Sequence, residues 1–297
     1  MKTLNDICKN LVTVNGTLMS MSSNAGKTKD GRPYESVRYT VQVTQEYDGR
    51  EETSDIELRG FAMQFKNDGG TNPSYEAIQR LKNLKTVQNY GLADADKVSI
   101  TRGTLKESSF VSKNTGSLVT AWELDSNFPS KTRKPDLASF NIDIFIRNME
   151  DETDWEGETT GRLVVTGVLV QYGGNVDEVK FIVENPDSIE HISRNWNVGD
   201  TVNVGGRIRE KSVEITRNRQ STSSWGEEIP ETSTRVVREL IITRGSDTPY
   251  DEDEAYDPTE IKKGLNARKA RIDQMANTTK SEPKIETTKK KFDWASM

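Results

Sequence analysis

The sequence predicts an all-β protein with minor helix: two small barrels in tandem, followed by an acidic tail. Three observations carry that expectation. Several stretches alternate apolar and polar residues with period two, the pattern of half-buried strands. Two short signatures recur in the same order, with Asp96 and Asp200 upstream of the second in each copy. Val14-Asn15-Gly16-Thr17-Leu18 is echoed by Val165-Thr166-Gly167-Val168-Leu169, and Gly103-Thr104-Leu105-Lys106-Glu107 by Gly206-Arg207-Ile208-Arg209-Glu210. Finally, a chain of 297 residues with 32% hydrophobic and 30% charged side chains suits two modest cores and a tail.

Residues 11–21 read as the first strand. Residues 23–33 are rich in Gly, Pro and Asp and predict a loop. Val37, Tyr39, Val41 and Val43 then alternate with Ser36, Arg38, Thr40 and Gln42, a half-buried second strand. Residues 57–65 form the third. Over 74–88 the period changes: Ala77, Leu81, Leu84 and Val87 follow helical spacing, and Pro73 lies just ahead. Residues 97–106 and 118–124 return to strand, separated by the turn-forming run Ser112-Lys113-Asn114-Thr115-Gly116. Five strands with a helix between the third and fourth is the order of an OB-fold barrel.

The second unit repeats this more compactly. Its strands are expected at 163–172, 178–183, 201–209 and 235–243, with a helical or irregular segment at 189–196. Residues 140–146 alternate too and predict a strand at the junction, assigned to neither barrel. The domains are therefore expected at 1–146 and 161–246, joined by an acidic linker at 147–160 and followed by a tail at 247–297. Order is expected to fade after Gly245, where residues 250–257 have the acidic composition of disordered segments. Asp257-Pro258-Thr259-Glu260 then supplies a helix start. Ile261, Leu265, Ile272 and Met275 share one face of a helix near 258–276. Gly264 weakens that helix, which is expected to form fully only against a partner or a barrel surface.

Composition excludes several chemistries. One cysteine (Cys8) allows no internal disulfide framework and, with no signal-like apolar N-terminus, predicts a reducing, cytoplasmic setting. One cysteine and one histidine (His191) leave no zinc finger. The runs Asp151-Glu152-Thr153-Asp154 and Asp251-Glu252-Asp253-Glu254 read as solvated segments rather than metal cages. No catalytic residue, cofactor or metal is expected. The net charge of −6 is unevenly spread: residues 147–160 hold one basic and six acidic side chains, and residues 247–260 none and seven. The two barrels are near neutral, which leaves room for a basic groove.

Binding a single nucleic-acid strand requires cations that track phosphates and aromatic faces for bases, each stack contributing ~1–3 kcal/mol. Strand parity puts Arg38 outside the first barrel and Arg59 beside Phe61; Phe61 stays open between stacking platform and core. Trp122 shares parity with Leu118 and Leu124, which predicts core. The loop cations and ring Lys27, Lys29, Arg32 and Tyr34 join this set, with Lys106 and Lys113. In the second barrel Arg207, Arg209 and Lys211 share an outward face, and Arg217, Arg219 and Trp225 form a hairpin finger that either closes over a strand or folds back. The tail offers Asp251, Glu252, Asp253, Glu254, Ile261 and Leu265 to a protein partner.

Gly199-Asp200-Thr201-Val202-Asn203-Val204-Gly205-Gly206-Arg207-Ile208-Arg209, then a long hairpin and Glu239-Leu240-Ile241-Ile242, resembles the fourth-to-fifth strand region of bacterial-type single-stranded DNA-binding proteins. Residues 96–124 are similar. Tandem OB folds with an acidic segment after them resemble the single-stranded DNA-binding proteins of bacteriophages. The resemblance implies sequence-tolerant coating of single-stranded DNA during replication and recombination in the host cytoplasm, with a tail that recruits replication proteins. The bacterial family ends in an acidic tip, whereas here the acidic patch is internal, so it either does the tip's work or competes with DNA. The competing reading is an OB-fold protein–protein module in virion or replisome assembly.

Overall fold

In the computed structural model, residues 1–280 are described, apart from 48, 113–115, 127, 155 and 220–228, with backbone alone at 211–219, 229–235 and 278–280. β1 (Asn10–Lys27), β2 (Pro33–Tyr47) and β3 (Arg50–Met63) form an antiparallel meander. The helices α1 (Pro73–Leu81) and α2 (Val87–Tyr90) lead into β4 (Lys97–Val111) and β5 (Leu118–Asp125), followed by the two-residue β6 (Ser130–Lys131). β5 lies parallel to β3, and β4 pairs back onto β1, closing the circuit β1-β2-β3-β5-β4. This is an OB fold. The single helix expected at 74–88 is two. Asn72 caps the first, donor Ser74 N to Oδ1 at 3.0 Å, and Thr86 caps the second, accepting from Asn89 N at 3.2 Å.

A second closed circuit follows: β7 (Leu137–Thr153), β8 (Thr159–Val170), β9 (Val176–Val183), α3 (Pro186–Asn195), β10 (Thr201–Arg219) and β11 (Ile229–Gly245). β7 pairs with β8 and β10, β8 with β9, and β11 runs parallel to β9. The junction strand is therefore the first strand of the second OB fold. The supposed linker at 147–160 is also corrected. It is the end of β7, a turn and the start of β8, and two of its acidic side chains meet cations of β8 and β9. Glu152 lies 2.6 Å from Arg162, and Glu150 lies 3.7 Å from Lys180. One of the two sequence repeats holds topologically: Gly103–Glu107 and Gly206–Glu210 lie on β4 and β10, the fourth strand of each barrel. The other equates β1 with β8, a first strand with a second. Both strands carry a glycine where a side chain has no room: a Cβ on Gly16 would fall 2.1 Å from the backbone O of Gln42, and one on Gly167 2.9 Å from Cβ of the Ile144 side chain. The expected loop at 23–33 is mostly strand, with only a turn at 28–32, closed by Thr28 N donating to Arg32 O at 2.9 Å.

The core runs through both barrels. Tyr39, Ile56, Leu58, Ile100 and Leu124 are fully buried in the first, and Phe140, Val165, Phe181, Val204 and Leu240 are sealed in the second. The barrels are joined because residues 10–15 of β1 pair with residues 142–137 of β7, making an 11-stranded sheet. At the start of β1, Asn10 also ties the strand to β4 within the first barrel: Oδ1 accepts from Leu105 N at 2.9 Å, and Nδ2 donates to Leu105 O at 2.6 Å.

A charged layer also crosses the junction. Arg207 Nη1 lies 2.5 Å from Glu52 Oε2 of the first barrel, and its guanidinium stacks over Tyr47, with Cζ 3.3 Å from the ring centroid. Glu184 accepts from Arg162 and Arg207 at 3.1 Å each and from Arg209 at 2.5 Å, and Glu239 meets Arg162 and Arg209. Nearby, Arg238 covers Trp122 at 4.4 Å.

Residues 246–277, where order was expected to fade, are tied to the barrels. Tyr250 Oη donates to Asp143 Oδ1 at 2.9 Å, and Tyr256 is buried, its N donating to Thr201 Oγ1 at 3.0 Å and its Oη to Asp6 O at 2.5 Å. Asp257 caps α4 (Pro258–Lys280), accepting from Thr259 N at 2.7 Å. That helix lies across both barrels. Ile261 is buried, Gly264 packs so tightly that a Cβ would sit 2.7 Å from Val176 Cγ1, and Arg268 reaches Glu107 at 2.6 Å. Ile261 and Leu265, expected to face a partner, instead pack on the chain's own core, because the barrels supply the apolar surface that the helix requires. Asp251, Glu252, Asp253 and Glu254 remain exposed. No helix among the described residues is long and apolar enough to cross a membrane.

Two tests follow from this packing. Gly206→Ala would place a Cβ 1.8 Å from Ile241 O; overpacking of this kind costs about 3 kcal/mol, read as a fall in the urea midpoint, whereas an unchanged midpoint would contradict the β10–β11 register. The second concerns acid. Burial alone would raise the Glu184 carboxyl, but the guanidiniums of Arg209, Arg162 and Arg207 outweigh it and hold it below the usual carboxylate range; Arg162 does the same for Glu152. Their stabilisation is full above the unfolded value of roughly 4.3 and is lost as pH falls through the lowered folded values. Thermal stability should decline as pH falls below about 4.3, and Glu184→Gln should make that decline shallower. An acid limb of the same steepness in the variant would refute the assignment.

Candidate nucleic-acid interface

The outer wall of the first barrel is set by the β2–β3 register. Val37, Tyr39 and Val41 on β2 and Ile56, Leu58, Gly60 and Ala62 on β3 point inward and are buried. Their alternates face out. Arg38 lies opposite Arg59, Ser36 opposite Phe61 and Tyr34 opposite Met63, with no bulge at Gly60. Phe61, left open by the sequence, is therefore on the surface, 51% exposed. Its ring meets Tyr34 at 5.2 Å between centroids, tilted by 35°, the offset geometry favoured by aromatic quadrupoles. Gly26 lets the Tyr34 ring lie down on β1, since a Cβ there would fall 2.7 Å from Tyr34 Cζ.

Cations surround these rings, and each is matched. Arg38 lies 3.4 Å from Glu57, Arg59 reaches Glu57 and Glu123, and Lys106 lies 3.2 Å from Glu123 and 2.5 Å from Asp125. Burial holds the Asp125 carboxyl above the usual range despite Lys106. Desolvation would lower Lys106, but Asp125 and Glu123 outweigh it and raise the ammonium. Arg38, Arg59, Phe61 and Lys106 border one groove of about 420 Å³. Lys27, Lys29 and Arg32 stand exposed at the β1–β2 tip, with Arg32 turned onto Asp30 at 2.6 Å and Asn67 at 3.2 Å.

Sequence reasoning missed two groups here. Arg102 and Phe128, the latter 46% exposed, border a depression of about 220 Å³ with Phe61, Thr104, Asp125 and Ser126. Arg102 shares strand parity with Lys106, so period two along β4 was enough to place it outside. Phe128 lies beyond the end of β5, where no periodicity marks it.

The second barrel differs. Arg207 and Arg209 do lie off the barrel core, as parity requires, but they do not line an open groove. Arg209 is buried, and the Arg207 side chain is 14% exposed, both enclosed by Glu52, Glu184 and Glu239. Parity tells which residues leave one core; it is blind to a neighbouring barrel that covers the wall. The repeat GTLKE/GRIRE in fact encodes a cross-strand pair, Lys106 opposite Glu123 and Arg209 opposite Glu239. Lys211, Arg217 and Arg219 occupy strand positions of β10 opposite Val237, Glu231 and Ile229. Lys113 and Trp225 lie outside the described residues. Trp122 is partly buried against the core, as its parity indicated. Among the described residues no group of three or more His, Cys, Asp or Glu could hold a metal.

Known structures and families give the following matches. The single-stranded DNA binding protein of Thermus aquaticus matches at 13% identity and a TM-score of 0.49, over 83% of this chain and 95% of that one. A deletion variant of the same protein matches at 14% identity and a TM-score of 0.49, over 83% and 97%. No curated protein sequence matches. A family model described as YorF matches residues 9–278, both barrels and nearly all of α4. On that extent of match, the chain belongs to the YorF family.

Proposed function

We propose that this protein is a non-enzymatic, sequence-tolerant binder of single-stranded DNA, with the outer wall of the first barrel as its principal contact. The observation that carries the reading is the Tyr34–Phe61 ring pair, which is held in solvent on a rigid β-sheet wall among Arg38, Arg59 and Lys106. Rings in that position offer flat faces to bases of any sequence, while the arginines and lysine can exchange carboxylate partners for phosphates. Lys27, Lys29 and Arg32 extend the cationic edge at the hairpin tip. The role we assign is coating of single strands during replication and recombination, of the bacteriophage type, in the cytoplasm. The exposed side chains Asp251, Glu252, Asp253 and Glu254 serve to recruit another protein or to compete with DNA.

One observation favours a second reading, a protein–protein module. Glu57, Glu123 and Asp125 leave the wall near neutral, a surface suited to adhesion. Gel filtration separates the two: assembly without DNA supports the module, and DNA-dependent complexes support the strand binder.

Labelled oligo(dT) should bind in a fluorescence-anisotropy titration at low salt. Phe61→Ala should weaken binding about 5- to 150-fold, the equivalent of ~1–3 kcal/mol for a lost stack. Arg38→Ala should reduce the slope of log K against log salt by about 0.7, one phosphate contact. Failure of the unaltered protein to bind at low salt would overturn the proposal.

A further inference from the structure

Tyr172 is the most exposed large apolar side chain among the described residues, at 84%. Its position is not loose. The turn between β8 and β9 is closed by Gln171 N donating to Asn175 O at 2.8 Å and by Asn175 Nδ2 donating to Tyr172 O at 3.3 Å. Gly173 and Gly174 take φ of 77° and 74°, a left-handed pair that few side chains tolerate. The backbone is fixed while the ring stands in water, an arrangement that fills no core and leaves a flat face available.

The ring sits at a groove of about 510 Å³ between the barrels, bordered by Thr104, Lys106 and Ser108 of β4, by Asp125, and by Arg271 of α4. Lys106 and Asp125 also border the groove under Arg38, Arg59 and Phe61, and Asp125 borders the depression at Arg102 and Phe128. The three hollows are thus consecutive along β4. Two of the carboxylates in the groove at Tyr172 are withdrawn. The Glu107 side chain is 4% exposed and bridged by Arg268, and Asp177 is buried, accepting from Glu107 N at 3.0 Å. What the groove presents outward is hydroxyls, the Lys106 ammonium with its partner Asp125 at 2.5 Å, and the Arg271 guanidinium, which is steadied by Asn175 Oδ1 at 3.0 Å.

We infer that the single-strand path crosses the barrel junction, running from Phe61 past Lys106 to a stacking platform at Tyr172 with Arg271 as phosphate contact. The second barrel then contributes through its β8–β9 turn and through α4, rather than through Arg207 and Arg209, which are engaged with Glu52, Glu184 and Glu239. This rests on the strand-binding reading above and adds its direction and length.

The test uses the full chain and two labelled oligo(dT) probes, one of about 6 nucleotides, within the ~4–16 covered by one such barrel, and one of about 20. Tyr172→Ala should weaken the longer probe about tenfold and the shorter less than twofold, with Tyr172→Phe restoring the long-probe affinity. Phe61→Ala should weaken both. Because Tyr172 is at the surface, the thermal midpoint should not move. If Tyr172→Ala leaves both probes unchanged, or weakens both equally, while Phe61→Ala still weakens binding, the crossing path is wrong and the first-barrel site stands. If the unaltered protein binds neither probe, the strand-binding reading itself fails and takes this inference with it.

Discussion

The antiparallel pairing of residues 10–15 with residues 142–137 makes one sheet of two barrels, and the geometry of the rest is inherited from it. β1 belongs to the first circuit and β7 to the second, so backbone hydrogen bonds, which must be made somewhere once buried, tie the two closures together. With the relative position of the barrels fixed, β3 comes alongside β10, and Ser54 Oγ accepts from Glu210 N at 3.2 Å. Glu52 is carried to Arg207 by the same placement. The β8–β9 turn is likewise carried to the flank of β4, where Tyr172 and Lys106 share a groove.

Charge in this molecule is arranged by contact rather than by sum. Arg162, Arg207 and Arg209 share Glu52, Glu152, Glu184 and Glu239 in a layer mostly shielded from water. Removing several charges from solvent is costly unless each finds partners, so such a layer contributes little net stability while intact and a large penalty when one member is lost. It fixes how the barrels meet. The wall of the first barrel follows another rule: its cations are half-exposed and paired across short, wet distances, interactions worth little individually and readily exchanged. Two sets of arginines that strand parity alone does not distinguish are thus a joint between barrels in one case and, on the function we propose, a ligand surface in the other.

Much of the fold could be read from period two and turn chemistry. The alternation of Val37, Tyr39 and Val41 with Arg38 gave the face of β2, and Asp257-Pro258 marked the start of α4 to the residue. The surface position of Phe61 depended on one unknown, a bulge at Gly60, which the unbroken β2–β3 register removes. Other features were illegible for physical reasons. The acidic run at 147–160 resembled a linker because composition does not reveal that Glu152 has Arg162 across the ribbon. Gly16 and Gly167 looked equivalent because crowding selects glycine in topologically different strands, by the Gln42 backbone at one and by the Ile144 side chain at the other. Arg209 and Tyr172 depend on the second barrel's placement, which is a long-range property that no local pattern contains.

The docking of α4 has a consequence for how the chain folds. The helix takes its apolar contact at Val176 from the second barrel and its ion pair at Glu107 from the first, while Tyr256 just before it bonds to Asp6 near the opposite end of the sequence. Those surfaces exist only after both closures are complete, so the helix is the last element able to settle. Contacts spanning some 250 positions carry a high loop-closure cost. During synthesis, Glu107 therefore stays without its Arg268 partner until α4 has been translated.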